Sequence, residues 1–291
     1  MKRIIFLIIS SVAVMLGSMN IIAINEVHAN NWSVDDVQDG WWNKDKPEEK
    51  GEEEDPPELT GGPERSHRIL EPVPMTTLQQ LYPDTIFLRG PTTANKIALT
   101  FDDGPDPRFT PEVLDVLREY EVPATFFLLG SRAEAYPDLT TRIVNDGHVV
   151  GNHTFWHPDL AAEGEVDILV NEVSRTEEVL EPLINYKTTL FRPPYGFLYE
   201  ELVDELAILD YSVIGWSVDS QDWQELSPEQ ITENVVGEIH PGAIILMHDG
   251  TDAEGDQSET IESLRQIIPN LQDQGYEFVT VPELLNIPYQ R

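Results

Sequence analysis

Three short segments, far apart in the chain, carry the side chains best suited to metal and proton chemistry. Asp102 and Asp103 are adjacent carboxylates in a Thr-Phe-Asp-Asp-Gly-Pro segment. His153 and His157 are imidazoles four residues apart, and His248 ends an apolar run. One carboxylate and two imidazoles give three protein ligands for a divalent cation and leave a coordination position for water. The other carboxylate and His248 would then move protons, so the set predicts metal-assisted hydrolysis.

Local geometry allows these roles to be divided. At a strand end consecutive side chains point to opposite sides, so one aspartate can bind metal while the other faces substrate. On a helical turn, a spacing of four residues places His153 and His157 on one face, within reach of a single ion. Thr154 stands where a zinc-protease motif carries glutamate, so the general base must come from the aspartate pair. Plainer interpretations remain open: the aspartates could form a polar turn after a strand, and the two histidines could be surface or helix-capping residues.

Further segments carry side chains suited to the same site. Arg192 lies in a rigid Arg-Pro-Pro-Tyr-Gly corner, where it could pin a carboxylate and lower its pKa. The loop from Asp219 to Asp222 ends in Trp223, an aromatic surface on which a sugar ring stacks well. Paired with a carboxylate, His248 would stay protonated near neutral pH and act as an acid. Each segment also has a structural interpretation. The Arg192 corner could be a structural Pro-Pro turn, the loop before Trp223 a capping loop, and His248 a hydrogen-bonded core histidine.

The elements that position these segments alternate between strands and helices. Apolar runs predict strands at 96–101, 124–129, 148–151, 190–191, 211–216, 243–247 and 278–281. Periodicity predicts helices at 137–146, 166–180 and 261–274. Two more helices have clear starts, one with Thr110 as the cap and Pro111 at the first helical position, the other with a capping box at 227–230.

Repeated strand–helix units imply parallel strands, in either a barrel or an open wound sheet. Each polar segment follows a strand directly, and the active sites of βα barrels lie at the carboxyl ends of the strands. Segments from five strands converge more readily around a barrel mouth than along an open edge. We therefore predict an α/β fold of the βα-barrel type.

Composition restricts the partners. The 291 residues carry a formal net charge of −35, most of it in residues 66–291. Such a surface should repel nucleic acid and anionic membranes. The acidic charge is better explained as an adaptation for solubility in saline or alkaline surroundings than as a surface that binds a cationic partner. The chain has no cysteine, so disulfides and a lipid-modified cysteine are excluded.

The amino-terminal part predicts export. Residues 1–29 resemble a signal peptide, with basic residues before an apolar stretch and small or branched residues before a cleavage point after Ala29. Uncleaved, residues 4–24 would be long enough to anchor the chain in a bilayer. Residues 30–68 form an acidic Pro- and Glu-rich linker without an apolar period. The domain follows at 69–291; the linker also holds three tryptophans to which the sequence assigns no role: Trp32, Trp41 and Trp42.

Taken together, the polar segments resemble the five motifs of the polysaccharide deacetylase family, also called the NodB homology domain or carbohydrate esterase family 4. The resemblance runs from about residue 86 to the carboxyl terminus, with all five motifs in order. It implies a distorted (β/α)7-type barrel. It also implies that Asp102 is the general base and that the metal ligands are Asp103, His153 and His157.

The resemblance implies roles for the remaining motif residues. Arg192 would position the general base, and the backbone N–H of Tyr195 would bind the oxyanion. Asp222 would pair with His248, the general acid. The acetyl pocket would be walled by Trp223 and Leu246.

The implied activity is removal of N-acetyl groups from a GlcNAc-containing polysaccharide, either peptidoglycan or a chitin-type polymer, with release of acetate. Zinc is the first choice of metal, and cobalt, nickel or manganese would also suit these ligands. An O-acetyl xylan esterase and a non-catalytic glycan-binding cell-wall protein remain alternatives. We expect a secreted or cell-wall-associated protein, or one tethered to the membrane by an uncleaved leader. The sequence does not indicate an oligomeric state.

Overall fold

The computed structural model describes Pro57, residues 73–163 and residues 165–291. Apart from Pro57, the predicted signal peptide (1–29) and linker (30–68) lie outside these residues, as do the three linker tryptophans. Export, domain boundaries and attachment through the amino terminus therefore stay predictions. In the described part of the chain, no helix combines the length and the apolar character needed to cross a bilayer.

One sheet of parallel strands runs through the described residues. Its order is β1-β6-β5-β4-β3-β2-β8-β7, and β9 pairs with β2. The strands are β1 Ile86–Phe87, β2 Lys96–Asp102, β3 Ala124–Leu128, β4 Val149–Asn152, β5 Leu190–Phe191, β6 Ser212–Ile214, β7 Val218–Asp219, β8 Ile244–His248 and β9 Glu277–Phe278.

Helices connect and cover these strands. They are α1 Met75–Leu81, α2 Thr110–Glu119, α3 Gly130–Ala135, α4 Pro137–Asn145, α5 Leu160–Glu163, α6 Val166–Ile184, α7 Glu200–Ile208, α8 Pro228–Glu238, α9 Ser258–Asp273 and α10 Val281–Leu285. The capping box predicted at the start of α8 is present, with Ser227 and Gln230 bonding to each other's backbone.

The sheet curls until its two edges approach each other. Only residues 215–217 separate β6, near one edge, from β7 at the other. The segment after β1 also meets the start of β8, where the Gly90 N–H donates to the Gly242 carbonyl at 2.8 Å. The predicted barrel is thus present as a curled half-barrel of parallel strands with helices outside.

Side chains alternate between the two faces of the curled sheet, as the strand period of two requires. On β2 the side chains of Ile97, Leu99 and Phe101 pack in the core beneath the outer helices. Ala98 packs in a separate inner cluster. Asp102 shares that inner face by its spacing, so the strand delivers a carboxylate to the mouth of the barrel.

Several predicted element boundaries were wrong by a few residues, among them the two that follow. Thr110 is the first residue of α2 and not its cap; its hydroxyl accepts the Asp106 N–H at 2.8 Å instead. The strand predicted at 278–281 ends at Phe278, and Val281 begins α10. Pro282 suits the first turn of a helix because its fixed φ and missing N–H cost nothing there. Val281 then packs in the inner cluster.

Candidate active site

The adjacent aspartates lie where β2 ends and the chain turns. Asp102 is opposite His248 in the parallel ladder between β2 and β8, so both side chains arrive at the same level of the mouth. Asp103 has a φ of 70°, a left-handed conformation that aspartate tolerates better than most residues. Both carboxylates are buried. The turn therefore brings both acids into the site rather than sending one away from it.

Three side chains gather as metal ligands would. Oδ1 of Asp103 lies 3.4 Å from Nε2 of His153 and 3.2 Å from Nε2 of His157. These atoms lie within 4.8 Å of one another, and all three residues are buried. Burial alone would raise the pKa of Asp103, but the facing imidazoles outweigh it and hold that pKa well below its usual range. A negative carboxylate facing two imidazoles is a donor set that suits a divalent cation.

The proton on His153 can be placed from its partner. Its Nδ1 is 2.7 Å from the backbone carbonyl of Arg192, which can only accept, so Nδ1 must carry the hydrogen. In the neutral ring Nε2 then holds a lone pair directed at Asp103. Within the described residues, Nε2 of His153 and Oδ1 of Asp103 are buried without a hydrogen bond. Two electron-rich atoms in such contact are stable only with a positive charge between or upon them, so the residues fit a bound cation.

The histidines are not on a helical turn as the sequence predicted. They belong to a loop in which Thr154 has a φ of 72° and His157 a φ of 58°. The Thr154 hydroxyl accepts the N–H of His157 at 3.1 Å and closes the turn. The two rings converge, with centroids 5.1 Å apart, because of these left-handed residues. The spacing of four residues therefore still brings the two rings together, but through a loop with left-handed residues and not through a helical turn.

A buried carboxylate on α6, which the sequence analysis missed, holds this loop. Oε2 of Glu172 accepts the backbone N–H groups of Phe155 and Trp156 at 2.8 and 2.7 Å. The Asn152 side-chain amide also links this loop to α6. Its oxygen accepts the N–H of Thr154, and its nitrogen donates to the Val173 carbonyl on α6. The sequence could have revealed Glu172 by its position. It lies on the apolar stripe of the predicted helix, and a buried charge there needs a partner.

Arg192 and Asp102 form a buried ion pair. Nη1 of Arg192 lies 2.7 Å from Oδ1 of Asp102 and also donates to the Thr100 hydroxyl at 2.8 Å. The rest of the guanidinium donates to the carbonyls of Ile214 and Gly215. Burial raises the pKa of Asp102, and the charge of Arg192 only partly opposes this. The pair fixes the carboxylate while leaving it a better proton acceptor than an exposed aspartate.

Asp222, in the turn after β7, orients His248 at the end of the neighbouring strand β8. Oδ1 of Asp222 lies 2.7 Å from Nδ1 of His248, and its Oδ2 accepts the backbone N–H of the same histidine at 2.9 Å. The Thr260 hydroxyl donates to Oδ2 at 3.0 Å. A carboxylate on Nδ1 keeps the hydrogen at that nitrogen and leaves Nε2 for proton exchange.

The other three predicted residues lie around the same mouth. Tyr195 has a φ of 61° in the turn after β5, and its hydroxyl is 3.1 Å from Nδ1 of His157. Leu246 shares the inner face of β8 with His248 by the strand period. Trp223 is half-buried, and its indole N–H donates to Asp219 at 3.4 Å. Nine of the ten predicted site residues therefore lie at the carboxyl ends of the strands or in the segments that follow them, and Leu246 lies two residues before the end of β8.

A second buried network, also missed from the sequence, supports the Asp103 turn. Arg132 on α3 donates to the Asp103 carbonyl at 2.9 Å and lies 3.4 Å from Asp106. Arg108 clasps Asp106 with two bonds, at 3.0 and 2.7 Å. Arg108 also donates to four backbone carbonyls in the loop after β8, those of Thr251, Asp252, Ala253 and Gly255. The two guanidinium groups thus fasten the loop after β8 to the loop after β2.

Asp249 packs directly beneath this turn. Its carboxyl group takes a short hydrogen bond from the Thr110 hydroxyl, and burial raises its pKa to about 7. A Cβ at position 104 would collide with this carboxyl group, so only glycine fits there. Gly104 therefore lets the chain turn tightly against Asp249.

Fold and site together define a βα-barrel protein with a buried Asp-His-His triad at its mouth that could hold a metal ion. Residues 89–214 match the family model for polysaccharide deacetylases. A peptidoglycan-N-acetylglucosamine deacetylase of Bacillus cereus is 43% identical over 202 residues, which cover 69% of this chain and 72% of that protein. A chitooligosaccharide deacetylase of Sinorhizobium fredii is 40% identical over 205 residues, covering 67% and 94%.

A solved structure agrees with these matches. The crystal structure of the peptidoglycan N-acetylglucosamine deacetylase Bc1960, bound to a naphthalenyl-substituted N-oxidanyl-benzamide, superimposes with a TM-score of 0.71. It is 39% identical, and the match covers 74% of this chain and all of that one. The chain belongs to the polysaccharide deacetylase family.

Proposed function

We propose that this protein is a metal-dependent N-deacetylase that releases acetate from a GlcNAc-containing polysaccharide. One observation carries the proposal. Asp103, His153 and His157 form a buried triad next to Asp102, which is paired with Arg192, and the same mouth holds His248, which is paired with Asp222. The named activities of the relatives, on peptidoglycan and on chitooligosaccharide, support the same chemistry.

The triad would hold a divalent cation. Zinc is our first choice for one carboxylate and two imidazoles, and cobalt, nickel and manganese would also suit the set. When bound, such an ion makes a water molecule more acidic and polarises the acetyl carbonyl.

Asp102 would act as the general base. Its carboxylate lies at the triad, with Oδ2 3.9 Å from Nε2 of His153, so it can reach a water held there. A buried carboxylate with a raised pKa accepts a proton more readily near neutral pH. Arg192 would keep the carboxylate pointing at the water through the 2.7 Å ion pair.

The remaining residues would serve the carbonyl oxygen and the leaving amine. The backbone N–H of Tyr195 would donate to the oxyanion of the tetrahedral intermediate. His248 would protonate the amine through Nε2, because Asp222 holds the hydrogen on Nδ1. Trp223 and Leu246 would enclose the acetyl methyl group in an apolar wall.

We favour peptidoglycan over chitin-type polymers as the substrate. The predicted signal peptide (1–29) and linker (30–68) would export a catalytic domain (69–291) and hold it off a membrane or wall. Anionic wall polymers would repel the acidic domain, which keeps soluble chitooligosaccharides in consideration. Acetylated xylan is the second candidate, since the site geometry fixes the reacting centre and not the sugar.

Acetate release tests the proposal. The purified protein is incubated with sacculi, acetylated chitooligosaccharides and acetylated xylan, before and after metal removal and after zinc is restored. We expect release from one of the first two substrates, its loss with chelator and its return with zinc. Activity that survives thorough metal removal would refute the mechanism. Glycan binding without acetate release from any substrate would identify a non-catalytic wall protein.

A further inference from the structure

The first turn of α9 packs against the pair formed by Asp222 and His248. Thr260, in that turn, places its hydroxyl 3.0 Å from Oδ2 of Asp222. The same hydroxyl lies 2.7 Å from Oε1 of Gln257, the residue directly before the helix. All four residues are buried. A continuous chain of polar contacts therefore runs from the start of α9 to the imidazole of His248.

The Thr260 hydroxyl cannot donate to both of its neighbours, because it carries one hydrogen. That hydrogen goes to Asp222, since a hydrogen bond to an ionised carboxylate is the stronger one. An amide oxygen of Gln257 at 2.7 Å would then leave two acceptors in contact, which is costly in a buried place. Turning the Gln257 amide by 180° presents its NH2 group to the hydroxyl oxygen and satisfies both side chains.

All the hydrogen bonds then converge on the carboxylate. Gln257 donates to Thr260, and Thr260 donates to Oδ2 of Asp222. The backbone N–H of His248 donates to the same Oδ2 at 2.9 Å, and Nδ1 of the ring donates to Oδ1 at 2.7 Å. With both oxygens engaged, the carboxylate cannot rotate without losing a bond.

Asp222 needs such support because its own element is short. It begins a single 3-10 turn, Asp222–Gln224, and the residues on either side, Gln221 and Glu225, have φ angles of 57° and 54°. A turn of three residues bounded by left-handed residues has no long hydrogen-bond ladder to fix a side chain. Its orientation must therefore come from a neighbouring element.

The α9 helix can supply that orientation. It has 16 residues, and its apolar face, with Ile261 and Leu264, packs in the core beside Phe101 of β2. Thr260 is the residue before Ile261, so its backbone is fixed by that packing. The helix therefore offers Asp222 a donor at a fixed position.

We propose that Thr260 is a positioning residue for the general acid and that Gln257 directs the Thr260 hydroxyl. Thr260 fixes the Asp222 carboxylate, and the carboxylate in turn keeps the His248 ring turned with Nε2 towards the leaving amine. This inference rests on the proposed function, in which His248 protonates that amine. The sequence analysis assigned no role to Thr260 or Gln257.

Two substrates separate this role from a general structural one. An amine leaves only when it is protonated, whereas the nitrophenolate of 4-nitrophenyl acetate leaves without a proton. The zinc-loaded full chain is assayed on penta-N-acetylchitopentaose and on this ester, as parent, Thr260→Val, Thr260→Ser and Gln257→Glu. Ser263→Ala is the matched control, because it removes a buried hydroxyl from the same helix that donates to a backbone carbonyl, that of Thr260.

We expect Thr260→Val to lower kcat on the pentamer about tenfold, the low end for one hydrogen bond to a charged group, with KM within about twofold. Hydrolysis of the ester and zinc affinity should stay within about twofold. Thr260→Ser, which keeps the hydroxyl, and Ser263→Ala should behave as the parent within about threefold. Gln257→Glu offers only acceptors and draws the Thr260 hydrogen away from Asp222, so its kcat on the pentamer should fall about as far as in Thr260→Val.

A second readout needs no turnover. The Nδ1 proton of His248, hydrogen-bonded to a carboxylate, gives a low-field signal in NMR spectra of the zinc-loaded chain. In Thr260→Val this signal should shift and its exchange with water should become faster, because the carboxylate is less firmly held. Thr260→Ser and Ser263→Ala should leave the signal unchanged.

The two proposals fail in different ways. Parental kcat on the pentamer in Thr260→Val, or an equal loss on pentamer and ester, would refute the positioning role and leave the deacetylase function standing. Parental kcat in Gln257→Glu would refute the direction assigned to the amide. If the parent hydrolyses no acetylated glycan, the deacetylase function fails, and the Nδ1 signal still decides whether Thr260 holds the pair.

Discussion

Substitution of Glu172 gives the sharpest test of how the loop that carries His153 and His157 is held in place. We predict that Glu172→Ala weakens metal binding although residue 172 is not a ligand. The side chain accepts the N–H groups of Phe155 and Trp156, between the two histidines, at 2.8 and 2.7 Å. Without it, both donors lose their partner and the left-handed conformations of Thr154 and His157 lose a support.

The magnitude follows from these two bonds. Leaving a buried donor unsatisfied costs about 1–3 kcal/mol, so two donors give about 2–6 kcal/mol as an upper bound. Trp156 is only half-buried, so water will recover part of this cost at its N–H. A loss of about 2 kcal/mol in loop order corresponds to roughly 30-fold in affinity, within the about 10–100-fold range for residues that support metal ligands.

Zinc dissociation constants, measured by competition with a chromophoric chelator, check this prediction. Glu172→Gln should stay within about threefold of the parent, because one amide oxygen can accept both N–H groups. Glu178→Ala, at an exposed position on the same helix, is the matched control. Circular dichroism confirms that each variant is folded.

The reasoning would be refuted if folded Glu172→Ala bound zinc as tightly as Glu178→Ala. Equal weakening in Glu172→Gln and Glu172→Ala would also contradict it, because the charge and not the hydrogen-bonding oxygen would then matter. Arg175 lies 3.5 Å above the Phe155 ring and would be the next support to examine.

Four further outcomes can be checked. Asp102→Asn should keep zinc affinity but lower kcat by about 10²–10⁴, the usual contribution of a general base; near-parental kcat would contradict the assignment. His153→Ala should lose both zinc, measured by metal analysis, and activity, whereas retained stoichiometric zinc would remove it from the ligand set. His248→Ala should lower kcat and abolish the limb of the pH–rate profile that reports the general acid; an unchanged profile would exclude that role. Burial lowers the pKa of His148 from 6.5 to about 4, and its Nδ1 accepts the Ala124 N–H at 3.1 Å. The unfolded chain therefore takes up this proton first, so the stabilisation is complete above pH 6.5 and is lost as the pH falls towards 4. Urea unfolding at pH 7.5 and 5 should show a loss of about 2 kcal/mol in the parent that is absent in His148→Gln; identical losses would refute the cause.

Local patterns were enough to predict the frame of the site. Alternation along β2 and β8 places Asp102 and His248 on the inner face, and each strand ends where its polar segment begins. Parallel pairing then brings both residues to one level, in register. The two-residue strands β1 and β7 were missed, whereas β5, which is equally short, was predicted. Helix α7 was missed although it packs Leu202, Val203 and Leu206 into the core.

The sequence by itself determined which residues reach the mouth, because strand period and strand ends are local properties of the chain. It did not determine how they are held there. Groups distant in sequence hold these residues in place. Arg132 supports the left-handed turn at Asp103, and Glu172 supports the loop that carries His157. Arg132 is 119 residues from the Thr251 carbonyl it contacts, and Arg192 is 90 residues from Asp102. Such contacts form only when packing brings buried donors and acceptors together, so only the tertiary structure could show them.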